Sequence, residues 1–376
     1  MKIGILTLKL ETNYGGLMQA YALQTTLQKM GHTPVFLQRY NADLHKLSWG
    51  SIIRYGKLLV ARLKGTKVFI PNQQSTEIIK QNTDIFINKY FIRSPYLRST
   101  RALKSYAEKE GFEAYVVGSD QVWRPGYSTC LPNYFLDFAE NSNVKRVAYA
   151  ASFGVDKWEF RPKEEKICVP LAQEFDAISV REESGVRLCR EHLGVTAIPV
   201  LDPTLLLDKS DYVKLIEEAG EGKRKGNLFC YVLDKTKMMD DVVNYVSDET
   251  GLTPFFTMPK YKLNKEKEKN HLEECVFPKV TEWLRSFMDA DMVITDSFHG
   301  CVFSILFNKP FWVVGNKTRG MARFENLLSA FDLKSRMVSV DSIKEVNLNT
   351  PIDWDKVENK RNELRKISID FLKAAL

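Results

Sequence analysis

The sequence predicts an α/β fold of two Rossmann-like domains, and three observations predict it. Short apolar runs rich in β-branched residues recur along the chain, and most end in a small or polar turn that opens a helical pattern. The chain has 376 residues, long for one core and natural for two domains. A glycine- and charge-rich stretch at 218–226 separates one set of repeats from the next. The expected division is an N-terminal domain over 1–210 with a basic helical insertion at 42–110, and a C-terminal domain over 225–350. A last helix over 351–376 folds back across the junction.

The elements follow in order. Ile3 to Leu8 reads as a strand, and Glu11 to Gly16 as a turn. Leu17 to Met30 is a helix with Ala20, Leu23, Leu27 and Met30 on one face, stopped by Gly31, and Pro34 to Leu37 is the next strand. A strand–helix–strand unit of this kind implies a parallel sheet. Gly15 and Gly16 let backbone approach a ligand, but they fall short of a G-x-G-x-x-G fingerprint, so a dinucleotide site is not expected.

Residues 42–110 hold 13 Lys and Arg against 5 Asp and Glu, an excess that accounts for the net charge of +7. Within them, 42–70 alternate Ile52, Ile53, Leu58, Leu59, Val60 and Leu63 with Arg54, Lys57, Arg62 and Lys64. That pattern is a basic amphipathic helix. It suits an anionic membrane surface or an anionic substrate, and equally a surface helix with a solvated basic face. Residues 76–110 read as further helices.

Strands then recur at Tyr115–Val117, Val147–Ala151, Ala177–Val180 and Ile198–Leu201. Each delivers a polar turn: Gly118 to Trp123, Ser152 to Gly154, Arg181 to Gly185, and Asp202 to Thr204. The second set is a strand over Leu228–Leu233, a helix over 239–249, a strand over Pro254–Thr257 and a helix over 280–289. A strand over 292–294, a helix over 300–307 and a strand over Phe311–Val314 complete it. Leu364, Ile367, Phe371 and Ala374 mark the final helix.

Met292 to Gly300 is the stretch richest in chemistry. An apolar strand leads to Thr295, Asp296 and Ser297, side chains that accept hydrogen bonds from the amides of a starting helix, with Asp296 the expected cap. His299 then falls on the carboxyl edge of the sheet, where ligands bind in open α/β folds. A helix N-terminus there also favours an anion. The alternative is that His299 only caps or packs the helix.

Composition narrows the function classes. Hydrophobic content of 44% and charged content of 27% are those of an ordinary globular protein, and no run approaches a membrane span. The first residues enter a strand directly, so no signal peptide is expected. The six cysteines are scattered and fit reduced thiols in a cytoplasmic protein. The five histidines form no cluster with them, so no metal site is expected. No feature points to nucleic acid.

Six motifs in order resemble the polysaccharide pyruvyl transferase family. They are Asn13-Tyr14-Gly15, Gly118 to Trp123, Ala150 to Gly154, Ser179 to Glu182, Asp202-Pro203-Thr204 and Thr295 to Gly300. The Lys309-Pro310-Phe311 turn, with Asn316 and Arg323 after it, extends the match, which covers most of the chain. The resemblance implies two Rossmann-like domains facing across a cleft, as in GT-B glycosyltransferases. It implies phosphoenolpyruvate as donor, no cofactor, and a sugar hydroxyl pair on a lipid-linked or nucleotide-linked glycan precursor as acceptor. The family's histidine and arginine fall on His299 and Arg181.

The residues suit that chemistry. An imidazole near neutral pKa can give and take the protons of ketal formation, and Arg181 offers a planar fork to carboxylate or phosphate. Arg181 could instead form a salt bridge to Glu182 or Glu183. Asp120 could orient His299, take an acceptor proton, or cap the loop anchored by Trp123. Asn13, Gly15 and Gly16 could cradle a substrate or form a plain turn. Ser119, Gln121, Ser152, Ser297, Gly300, Asn316 and Arg323 complete the expected substrate contacts. Two competing readings are a glycosyltransferase or epimerase that uses a nucleotide sugar, and a non-catalytic module that binds a glycan or lipid carrier. The expected location is cytoplasmic, with peripheral contact at the inner membrane face through the basic insertion.

Overall fold

The computed structural model describes residues 1–40, 73–139, 143–261, 263, 266–315 and 321–376. The basic helix expected at 42–70 and the candidate Asn316 lie outside them. The first set of elements is β1 (Lys2–Leu6), α1 (Tyr14–Lys29), β2 (Thr33–Phe36), α2 (Gln73–Tyr90), α3 (Thr100–Glu110), β3 (Ala114–Val117) and β4 (Lys145–Ala151). It continues through α4 (Pro162–Ala172), β5 (Ala177–Val180), α5 (Glu183–Leu188), β6 (Ile198–Pro199) and α6 (Lys209–Glu218). The strands form a parallel sheet in the order β2-β1-β3-β4-β5-β6.

The second set is β7 (Leu228–Tyr231), α7 (Lys237–Thr250), β8 (Pro254–Phe255), α8 (Val280–Asp289), β9 (Met292–Thr295) and α9 (Phe298–Leu306). β10 (Phe311–Val314), α10 (Ala322–Ala330), β11 (Met337–Val338) and α11 (Trp354–Ala375) follow. Its sheet is also parallel, in the order β11-β10-β9-β7-β8. The fold is therefore the two-sheet α/β arrangement expected.

Strands buried on both faces read as continuous apolar runs, and side chains two apart share a face. The packing shows this directly. Ile3 and Ile5 of β1, Phe229 and Tyr231 of β7, Val293 of β9, and Phe311 and Val313 of β10 all join one core between the sheets. The alternate residues Leu6, Tyr115 and Val117 face a second core, and Leu228, Cys230, Ile294 and Trp312 a third. The central core is continuous from one sheet to the other.

Three ties cross the junction. The Tyr14 hydroxyl at the start of α1 donates to the Pro278 carbonyl at 2.7 Å, and its ring stacks on Trp283 with centroids 5.5 Å apart. On α2, Asn82 donates to the Phe277 carbonyl, and the Phe277 amide donates to Ile79. α11 returns to the first sheet: Arg361 donates to the carbonyls of Leu205 and Leu207, and the Ser368 hydroxyl accepts from the Leu201 amide.

The structure adjusts several expectations. The strand expected over 198–201 stops at Pro199, because Asp202 caps a 3₁₀ turn at Pro203–Leu206. The helix expected from residue 300 begins at Phe298, so His299 stands inside its first turn. Asp296 is not its cap. The carboxylate accepts instead from the amides of Leu233 and Asp234 after β7, at 2.8 and 2.9 Å. That pairing ties two neighbouring strand ends, a non-local use that outcompetes capping.

Candidate active site

The carboxyl ends of the first sheet carry Ser119 and Asp120 after β3, Ser152 after β4, Arg181 and Glu182 after β5, and Asp202 after β6. Those of the second carry Thr295 to His299 after β9. Helix α9 delivers His299 from the second sheet to the first.

Arg181 is the hub. Its side chain is only 2% exposed, so the salt bridge considered to Glu182 does form but is buried, not at the surface. Nη1 donates to Asp202 Oδ2 at 2.9 Å and Nη2 to Asp120 Oδ1 at 3.3 Å, and Glu182 Oε1 lies 3.9 Å from Nε. Burial works against the charge, yet Asp120, Glu182 and Asp202 together hold the guanidinium pKa above its ordinary value. The guanidinium also lies over the Phe298 ring, 4.5 Å from its centroid, and Arg323 approaches the same ring at 6.0 Å.

His299 is enclosed by three elements. Nε2 lies 3.7 Å from Asp202 Oδ2 and is buried without a hydrogen-bond partner. On the other side the ring meets Gly15 of α1. A Cβ there would stand 2.7 Å from His299 Cβ and closer still to Cγ and Nδ1. The carboxylate beside His299 is thus Asp202, while Asp120 is engaged with Arg181.

Asp202 is fixed on its other oxygen. Oδ1 accepts from the Thr204 amide at 3.0 Å and the Thr204 hydroxyl at 2.6 Å. Burial raises its pKa, but His299, Arg181 and Thr204 pull the carboxyl well below the usual range. Glu182 goes the other way. Burial pushes its carboxyl up against the opposing pull of Arg181 and Ser152. Its Oε1 accepts the Ser152 hydroxyl and its Oε2 has no hydrogen-bond partner.

The remaining candidates separate by role. Asn13 caps α1, its side chain accepting from the Gly16 amide at 3.1 Å. The Ser119 amide donates to Gln19, but its buried hydroxyl has no partner. Gln121 accepts from Arg124 and packs on Gly154, which holds a left-handed φ of 74°. Ser297 precedes α9 without capping it by side chain, and Gly300 must lack a side chain because Thr295 fills that space. Arg323, on α10, is half-buried, and desolvation together with Arg181 lowers its pKa.

A cleft of about 310 Å³ opens beside this cluster, and His299, Asp120 and Glu182 are not among its lining residues. Arg181, Asp202, Phe298 and Arg323 form its polar end, and Leu205 and Ile367 stand in its apolar wall. The volume falls at the lower end of the range for ligand pockets. Among the described residues, no group of three or more His, Cys, Asp or Glu side chains could hold a metal ion.

Sequence reasoning underrated Asp202, Thr204 and Glu182. The Asp-Pro-Thr motif was visible, but it reads as a turn until the fold sets it beside His299.

A family model described as polysaccharide pyruvyl transferase matches residues 13–318. Comparison with curated protein sequences gives no match. Among solved structures, UGT89C1 of Arabidopsis thaliana complexed with UDP is similar at a TM-score of 0.54 and 9% identity, over 100% of this chain and 99% of that one. The UDP-GlcNAc 2-epimerase of Methanocaldococcus jannaschii is similar at 0.50 and 13% identity, over 98% and 99%. At such identities the likeness is one of fold, the GT-B arrangement of two parallel-sheet units.

Proposed function

The chain belongs to the polysaccharide pyruvyl transferase family, and we propose from that premise that it transfers the pyruvyl group of phosphoenolpyruvate to two hydroxyls of a sugar in a cell-surface polysaccharide precursor. In this reaction a proton adds to the donor's methylene carbon and one sugar oxygen bonds to the adjacent carbon. The second oxygen then displaces phosphate. The products are a pyruvate ketal and inorganic phosphate, one hydroxyl proton ending on the new methyl group and the other on phosphate.

The reading is carried by one observation: the family match over 13–318 takes in Gly15, Asp120, Arg181, Asp202 and His299, residues that converge on one cluster. In the proposal His299 moves the protons. Arg181 and Arg323, both near the Phe298 ring, receive the carboxylate and phosphate, helped by the first-turn amides of α9, which no side chain caps. The nucleotide-sugar alternative has only fold likeness behind it, and fold leaves function open. Among the described residues no helix is long and apolar enough to cross a membrane. Contact with an anionic membrane surface is proposed through the basic stretch at 42–70.

The test is phosphate release from phosphoenolpyruvate with a panel of sugar acceptors, alongside nucleotide release from UDP-sugars. Acceptor-dependent phosphate release with a pyruvate-bearing product supports the proposal. Nucleotide release alone overturns it.

A further inference from the structure

We propose that Asp202 is a positioning residue that holds the Nε2 side of His299 and leaves Nδ1, beside Gly15, as the nitrogen that exchanges the proton. The exchange itself rests on the pyruvyl-transfer reading; the geometry of the pair does not.

Each oxygen of Asp202 has a separate task. Oδ1 is taken by the amide and hydroxyl of Thr204, which fixes the plane of the carboxylate. Oδ2 is left to Arg181 Nη1 at 2.9 Å and to the Nε2 edge of His299 at 3.7 Å. The second distance is longer than a hydrogen bond, and Nε2 has no hydrogen-bond partner elsewhere. Asp202 itself has little freedom to move. It opens a 3₁₀ turn whose Leu205 and Leu206 are buried in the central core, and Arg361 of α11 holds that turn from outside.

A carboxylate facing Nε2 favours the tautomer with hydrogen on that nitrogen. The lone pair of the neutral ring is then on Nδ1, which faces the start of α1. The charged groups of the cluster are Asp202 and Arg181, with Glu182 from the end of β5, Asp120 from the loop after β3, and Arg323 from α10. α1 presents no acidic side chain in its first turn, and Gly15 is its contact with the ring. Among these groups Asp202 is the anion that meets the imidazole edge.

The arrangement also couples two functions. One oxygen serves both the guanidinium and the imidazole, so a shift of Arg181 toward a bound anion changes the field at Nε2.

The experiment uses ¹⁵N NMR of the imidazoles in the full chain without substrate. His299 is assigned by the signal lost in a folded His299→Gln variant. The wild-type neutral ring is expected to be mainly the Nε2–H tautomer. In folded Asp202→Asn the share of the Nε2–H tautomer should fall. A wild-type ring that is mainly Nδ1–H overturns the proposal without any Asp202 variant. So does an unchanged tautomer ratio in folded Asp202→Asn. If wild-type protein shows no pyruvyl transfer while the tautomer behaves as stated in both proteins, the function proposal fails and the positioning of His299 stands.

Discussion

Gly15 and His299 meet at the junction of the two sheets with no room for one added methyl: a Cβ on Gly15 would stand 2.7 Å from His299 Cβ and nearer to Nδ1. Gly15 lies in the first turn of α1, so alanine there would by propensity favour the helix by about 1 kcal/mol. The contact decides otherwise. Gly15→Ala should keep the fold, displace the ring and lower kcat by about 100-fold. Steady-state kinetics beside a thermal melt checks this; a variant with wild-type kcat would show that the ring's position is immaterial.

His299→Gln keeps a polar side chain of similar reach but cannot exchange a proton near neutral pH. Transfer should fall by about 10²- to 10⁴-fold while the thermal midpoint moves by a few degrees at most. A large loss of stability with retained specific activity would mark the residue as packing only.

Arg181→Ala should be costly to the fold. It strands Asp120, Glu182 and Asp202 inside the protein, and removing one partner of a buried ion pair typically costs about 3–5 kcal/mol. Denaturant unfolding measures the loss. A change below about 1 kcal/mol would mean that the carboxylates find water or protons at little expense.

Glu182 gives a pH signature. Its folded pKa is raised by burial, above an unfolded value near 4.3, so the stability it contributes is full below that pH and is lost as pH rises through the folded value. Glu182→Gln does not titrate. Its melting temperature should therefore gain on wild type as pH is raised from about 4 to 8, and a difference flat across that range would rule out a raised pKa.

Tyr14→Phe removes the hydroxyl that reaches Pro278 across the junction while leaving the ring on Trp283. The expected loss is about 1 kcal/mol, read by denaturant unfolding. A variant as stable as wild type would show that water replaces the bond at no cost.

Much of the fold was legible because buried parallel strands advertise themselves. Tyr115-Val116-Val117 and Met292-Val293-Ile294 are short apolar runs between polar turns, and both are strands. β11 was missed because a two-residue strand carries no period. α4 and α6 were missed too; only Cys168 and Ala172 of α4 and only Tyr212, Leu215 and Ile216 of α6 are buried.

The candidate site was legible one strand end at a time. His299 and Arg181 could be placed on sheet edges from local pattern alone. Their shared carboxylate could not, since Asp202 is 97 positions from His299 and meets it only through the packing of two sheets. The cap expected of Asp296 failed for the same reason: its partners, Leu233 and Asp234, lie more than 60 positions away.

The central core runs unbroken from Ile5 through Trp283 to Leu372. Severing the chain near residue 222 would leave each fragment with a bare oily face as wide as a sheet. Neither piece should then be obtainable alone in dispersed form, and exchanging halves between distant relatives would require matching that seam side chain by side chain.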